Sequence, residues 1–363
     1  MKKINIKKID KKIILLLIPF FIISILGVYS ASNLIGNNTL FIKQIIWYII
    51  GTFIIYLITK VNNNEIYKYY KIIYILGNLT LLLLLLFGKP INNAKCWINL
   101  GVFSFQPSEF MKLILIITNA IVIHNNRDKK DLIIILKVFL ITLIPSILTF
   151  LEPDTGMVII YFVISFVMLF LSKIDKKWFI ISILILVLFI TIFLSMYFYN
   201  SDTFINIFGT NFFYRIDRLL DWKNGTGYQL SNALIGIGSS FIFGFGFNNT
   251  PIYFPEAQTD FIFSIFAINY GFIGVILLFS LILYFDIYLI SIGKETKNQM
   301  DKYIISGIIA MLIFQQIQNI GMNIGLLPIM GITLPFISYG GSSLISYMIS
   351  MGIVLNITKN TKK

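Results

Sequence analysis

The chain has 363 residues, 57% of them hydrophobic and 12% charged, with a mean hydropathy of +0.86 and a formal net charge of +13. A soluble domain carries roughly 25% charged residues, so most of this surface must face lipid. The lone Cys96 and lone His124 exclude a disulfide framework, a Cys/His zinc site and a Cys-x-x-Cys pair, which leaves catalysis to carboxylates, Lys, Arg, hydroxyls or backbone.

Apolar runs of transmembrane length lie near residues 13–30, 40–59, 72–88, 109–123, 132–150, 156–172, 178–198, 261–291, 303–325 and 339–357. Every second gap is basic: Lys2 to Lys12, 60–71, 127–130, 173–177, 294–302 and Lys359 to Lys363. These segments hold 21 of the 29 Lys and Arg residues, and the positive-inside rule places all of them in the cytoplasm. The excess charge is therefore a topology signal and not a nucleic-acid footprint. Residues 1–30 resemble a signal peptide, with a basic start and a small-residue end at Ser30-Ala31-Ser32. The alternation of the later loops works with that run retained as a helix. The expected fold is an all-α polytopic membrane protein, a single domain over 1–363 with about ten transmembrane helices and both termini cytoplasmic.

Four of the five outer-face connections carry distinctive features. Residues 89–108 read as a loop with a short surface helix, 151–155 as a tight turn, and 199–260 as the one large outer loop, between spans seven and eight. Residues 326–338 carry Pro328, Gly331 and Pro335. Long ordered loops on a helical scaffold are where function concentrates. No Gly-x-x-x-x-Gly-Lys-Ser/Thr loop is present, which argues against an ATP-driven pump.

Eight acids belong to the outer loops or outer helix ends: Glu109, Glu152, Asp154, Asp202, Asp217, Asp221, Glu256 and Asp260. Ionisable groups at membrane depth are costly and mark candidate functional sites. Each also has a plainer reading. Glu109 and Lys112, three apart, pair on one helix face; Asp154 in Glu152-Pro153-Asp154-Thr155-Gly156 caps a helix; Asp260 caps the helix that begins beside Phe261. The position of Asp260, closing the only long loop, favours function. Of 26 Lys and three Arg, Arg215 and Arg218 stand together in that loop. Guanidinium binds phosphate in a bidentate fork, and the competing reading is an ion pair with Asp217 or Asp221.

The motifs resemble a known family. Ala94-Lys95-Cys96-Trp97-Ile98-Asn99-Leu100-Gly101 is followed by Phe103-Ser104-Phe105-Gln106-Pro107-Ser108-Glu109-Phe110-Met111-Lys112. Phe254-Pro255-Glu256-Ala257-Gln258-Thr259-Asp260-Phe261 and Gly331-Ile332-Thr333-Leu334-Pro335-Phe336-Ile337-Ser338-Tyr339-Gly340-Gly341 come later, as does Gly227-Tyr228-Gln229. Together they resemble the SEDS family (shape, elongation, division and sporulation), of the RodA and FtsW type. The stretch Asn319 to Pro328 leans towards RodA, the elongation branch.

The resemblance implies a peptidoglycan glycosyltransferase of the bacterial cytoplasmic membrane. It would polymerise lipid II at the outer face, with a class B penicillin-binding protein as transpeptidase partner. It implies Asp260 as the essential loop carboxylate, Glu109 and Lys112 as the paired residues after Gln-Pro-Ser, and Asp154 in the Pro-Asp turn. Beside these matched positions, Arg215, Arg218, Glu256, Trp97, Gln229 and Ser338 are read as candidate substrate-binding or supporting residues. No cofactor is implied; a divalent cation at the pyrophosphate suits the chemistry, but no dedicated metal cage is readable. The chain also departs from the pattern. Ala267-Ile268-Asn269 stands where Gly-Glu-Glu is usual, Phe245 where a basic residue is usual, and Gln258 where His is common. A lipid flippase and a non-catalytic scaffold for the penicillin-binding protein are the alternatives.

Overall fold

The computed structural model describes residues 10–88, 95–99, 101, 104–210, 212, 213 and 227–361. Ten helices follow the ten apolar runs: α1 (Lys11–Ile35), α2 (Leu40–Lys60), α4 (Tyr70–Phe87), α5 (Pro107–Asn125), α6 (Asp131–Leu151), α7 (Thr155–Phe170), α8 (Lys177–Tyr199), α11 (Ile262–Glu295), α12 (Gln299–Asn323) and α13 (Gly341–Thr361). Nine are long and apolar enough to cross a bilayer, and α7, with 16 residues, is a shorter apolar helix. Short helices among the described residues include α3 (Asn63–Lys68) on the basic side, and α9 (Ser201–Phe208) and α10 (Tyr228–Ser239) in the long loop.

Contacts sort the connections into two ends. At the basic end, the Tyr67 hydroxyl donates to Asp301 at 3.1 Å, Tyr288 donates to Asp10 at 2.7 Å, and the Lys359 ammonium donates to the Thr59 carbonyl. At the opposite end, Cys96 meets Glu152, Gln106 meets Asp154, and Asn319 meets Asp260. This is the alternation the basic loops required.

Helix α5 sits in the middle of the bundle, packed on α4, α6, α7, α12 and α13. Helices α2 and α13 run in close contact. A Cβ on Gly51 would come within 2.6 Å of the Met348 side chain, so the small residue is what lets the backbones approach. Helix α8 stands at the rim, its apolar face open to lipid.

The short surface helix expected within 89–108 falls in part outside the described residues, which omit 89–94, 100, 102 and 103. The described residues there form a two-stranded hairpin, β1 (Ile98–Asn99) and β2 (Ser104–Phe105), with Ile98 opposite Phe105. Local turn chemistry decides this: the Asn99 side chain accepts from the Gly101 amide at 2.9 Å, and Gly101 takes φ +84°.

Candidate active site

The outer end of α5, the start of α13 and the segments that precede α5, α7, α11 and α13 surround a cavity of about 290 Å³. Glu109, Asp154, Glu256 and Asp260 line it together with Trp97, Gln106, Thr333 and Tyr339. A larger cavity of about 640 Å³ lies between α1, α2 and α13, but no carboxylate, lysine or arginine lines it. A third, of about 400 Å³ at the basic end, is lined by Asp10, Lys12 and Glu295, so the outer-end carboxylates meet in the first.

Asp260 enters the cavity from the last turn before α11. Its backbone carbonyl is held by two amides of α12, Asn319 at 2.9 Å and Asn323 at 2.8 Å. Asn323 also accepts from the Ser264 backbone amide at 3.1 Å. The first turn of α11 is thus capped from a neighbouring helix, and Asp260 makes no capping bond. Its carboxylate has no hydrogen-bond or ion-pair partner among the described residues, and it is half-buried on the cavity wall. Burial raises its pKa to about 7, with the charges of Glu256 and Asp154 pushing the same way. Such a group is a competent base near neutrality.

Asp154 does cap α7, accepting from the Met157 amide at 3.2 Å. Its other oxygen accepts from Gln106 at 3.0 Å and Ser108 at 3.2 Å, which ties the turn to the start of α5. Burial raises its pKa to about 6; the Met157 amide opposes the rise, Glu109 adds to it, and Ser108 and Gln106 oppose it. Next to it Glu152 is sealed from solvent, its carboxyl oxygens without a partner among the described residues. Burial first, then Asp154, raises Glu152 to about 8. Glu256 takes φ +56° and accepts from Thr259 at 2.9 Å and Gln258 at 3.3 Å.

Lys112 does not line the cavity. It lies behind Glu109, 2.6 Å from that carboxylate, and both side chains are buried. The ammonium also donates to Gln315 at 3.4 Å and sits 5.0 Å over the Tyr347 ring. Gln315 donates on to the Tyr347 hydroxyl at 2.8 Å, which shares a 3.0 Å hydrogen bond with Thr333 at the cavity wall. Sequence reading passed over Gln315, Tyr347, Asn319 and Asn323 as site residues. The available signal was a polar stripe at a spacing of four, Gln315, Asn319 and Asn323, on an otherwise apolar span.

Other candidates sit elsewhere. Ser338 is buried, donating to the Thr259 carbonyl at 2.6 Å and accepting from the Leu334 amide at 2.8 Å, so its hydroxyl clasps two loops and does not line the cavity. Gln229 is in the first turn of α10 and does not line it either. Arg215 and Arg218 lie outside the described residues. No group of three or more His, Cys, Asp or Glu among the described residues is placed to hold a metal ion. The departure at Ile268-Asn269 has a structural account. Ile268 is fully buried, and Asn269 donates to Ser30 at 2.7 Å and accepts from Thr250 at 3.1 Å, bridging α1, α11 and the outer loop without charge.

Carboxylates gathered against apolar spans, at the end of the bundle away from the basic segments, belong here to a multi-pass membrane protein. Residues 9–363 match the FtsW, RodA and SpoVE family of cell cycle proteins, and the chain belongs to that family. This is the SEDS family, peptidoglycan glycosyltransferases of the bacterial cytoplasmic membrane. It is 35% identical to the probable peptidoglycan glycosyltransferase FtsW of Wigglesworthia glossinidia brevipalpis, covering 95% of this chain and 92% of that one. It is 33% identical to the protein of the same name from Coxiella burnetii, covering 97% of each. Among solved structures, a chain from a peptidoglycan synthase complex superposes with a TM-score of 0.80 at 24% identity, over 98% of this chain and 99% of that one. RodA of Thermus thermophilus superposes with 0.71 at 23% identity, over 99% of each. The leaning of Asn319 to Pro328 towards RodA finds no support in the curated relatives, which carry the name FtsW.

Proposed function

We propose that the protein polymerises lipid II into glycan strands at the outer face of the membrane, with Asp260 as general base. The observation that carries this reading is the Asp260 carboxylate: unpartnered among the described residues, half-buried, raised to about 7, and aimed at a cavity beside apolar spans. In the reaction a sugar hydroxyl of one chain attacks C1 of another. The new C–O bond forms as the bond from C1 to the pyrophosphate oxygen breaks. The hydroxyl proton passes to Asp260, and undecaprenyl pyrophosphate leaves with the bonding electrons. Glu109 faces the same cavity, held in place by Lys112. Arg215 and Arg218 are the candidates to neutralise the pyrophosphate. A divalent cation would supply the same positive charge, though no cluster of acids among the described residues is placed to hold one.

A class B penicillin-binding protein is the partner this reading requires, and the likeness to a chain of a peptidoglycan synthase complex supports it. The cellular role we favour is division, because the curated relatives bear the name FtsW; elongation is the alternative that Asn319 to Pro328 suggests. Purified protein, with its partner, given labelled lipid II should yield long glycan strands. Absence of strands from a folded complex that moves lipid II between leaflets would make it a flippase; absence of both would make it a scaffold. Depletion that produces filaments with blocked septa assigns division, and round cells assign elongation.

A further inference from the structure

Helix α11 is broken inside its own span. Gly271 takes φ +60° and ψ −161°, a conformation open only to glycine. A break in a membrane helix frees backbone groups that lipid cannot satisfy. Here the loop after α10 satisfies them. The amides of Phe245 and Gly246 donate to the carbonyls of Ile268 and Asn269 at 2.9 and 3.0 Å. On the other side of the break, the amides of Phe272 and Ile273 donate to the carbonyls of Phe241 and Ile242 at 3.0 and 3.1 Å. The loop backbone is thus docked into the helix at a fixed level.

That level can be placed. Lys294 and Glu295 end α11 on the basic side, and the twenty residues from Ile273 to Ile292 span roughly 30 Å, the thickness of the hydrocarbon core. The exposure pattern changes at the same point. Residues 262 to 269 are all buried in protein, whereas Phe272, Ile273, Ile276 and Leu277 are open. The break therefore marks the outer edge of the hydrocarbon.

Beside it, Phe241, Ile242 and Phe243 are 81%, 55% and 77% exposed. Three consecutive apolar side chains this open are unsuited to water. Phe241 also takes φ +48°, rare for a bulky residue, while its carbonyl reaches the Phe272 amide. We propose that Phe241, Ile242 and Phe243 form a wedge that inserts into the outer leaflet at the acyl–headgroup boundary. The wedge anchors the loop that continues to Glu256 and Asp260. Its occupant is lipid, because the exposed rings continue the open apolar surface of α11 at Phe272 and Ile273. On the far side, Phe247 stacks on Tyr29 at 5.6 Å and Asn248 meets Asn33 at 2.8 Å, so the anchored loop is clamped to α1 as well.

The test is independent of the polymerase reading. A nitroxide attached at Phe243→Cys, with Cys96 left buried, is measured in liposomes holding the protein alone. Insertion gives more collisions with oxygen than with a water-soluble nickel chelate, as at the lipid-facing control Leu277→Cys, and the reverse of Tyr253→Cys in the outer loop. In a Phe241→Ser/Phe243→Ser background, a label at Phe247→Cys should shift towards the chelate. A Phe243 label that favours nickel would overturn the wedge. So would one shielded from both reagents, which would mean that protein and not lipid covers the surface.

Discussion

Lys112 lies 2.6 Å from Glu109, one turn along α5, and neither side chain reaches solvent. A buried pair of this kind costs desolvation on both sides, and removing one member leaves an uncompensated charge. Lys112→Met should destabilise the folded protein by about 3–5 kcal/mol. The double change Glu109→Gln/Lys112→Met should recover much of that loss. Denaturation of the four proteins in one detergent, read as a double-mutant cycle, checks it; strictly additive losses would show that the pair does not interact.

Asp260→Asn should lower the polymerisation rate by about a hundredfold or more, the usual scale for a lost general base. Helix capping offers no rival account, because Asn323 serves the first turn of α11. A folded, partner-bound Asp260→Asn protein that still makes strands would remove Asp260 from the chemistry.

The rate should follow the protonation of that base. With Asp260 raised to about 7, kcat/KM should climb as pH rises through that value, since only the carboxylate accepts a proton. Glu256 is the larger of the two charged causes, after burial. Glu256→Gln removes one negative neighbour and so makes ionisation of Asp260 easier. The acid limb of the profile should move to lower pH; movement the other way would contradict the electrostatics.

Asn323→Ala should cost about 1–2 kcal/mol of stability, through the lost cap and the buried bonds to Asp260 and Ser264. It should lower kcat more than it raises KM, because the misplaced group is the base. A thermal scan with steady-state kinetics separates the two effects.

The spans were legible because each needs about twenty apolar residues in a row and little else; the ends of α1, α2 and α6 fall within a few residues of the apolar runs. Asp260, Glu109 and Asp154 stood out as charges set against such runs. What could not be read was who meets whom. Gln315 and Tyr347 hold Lys112 from helices that follow it by some two hundred residues, and no local pattern carries that. Ser338 was singled out by its motif, yet its hydroxyl is engaged by Thr259 and Leu334. The hairpin at Ile98–Phe105 was not foreseen, because its turn rests on one side chain, Asn99, accepting from the Gly101 amide.

The Asn319 amide donates to two carbonyls at once, Asp260 at 2.9 Å and Ile332 at 2.7 Å. The two outer segments that wall the cavity on that side hang from one hook near the top of α12. If α12 slides along its axis, both walls travel with it. Glu109 and Asp154, carried by α5 and the turn tied to it, would stay behind, so the spacing between the carboxylates depends on where α12 sits.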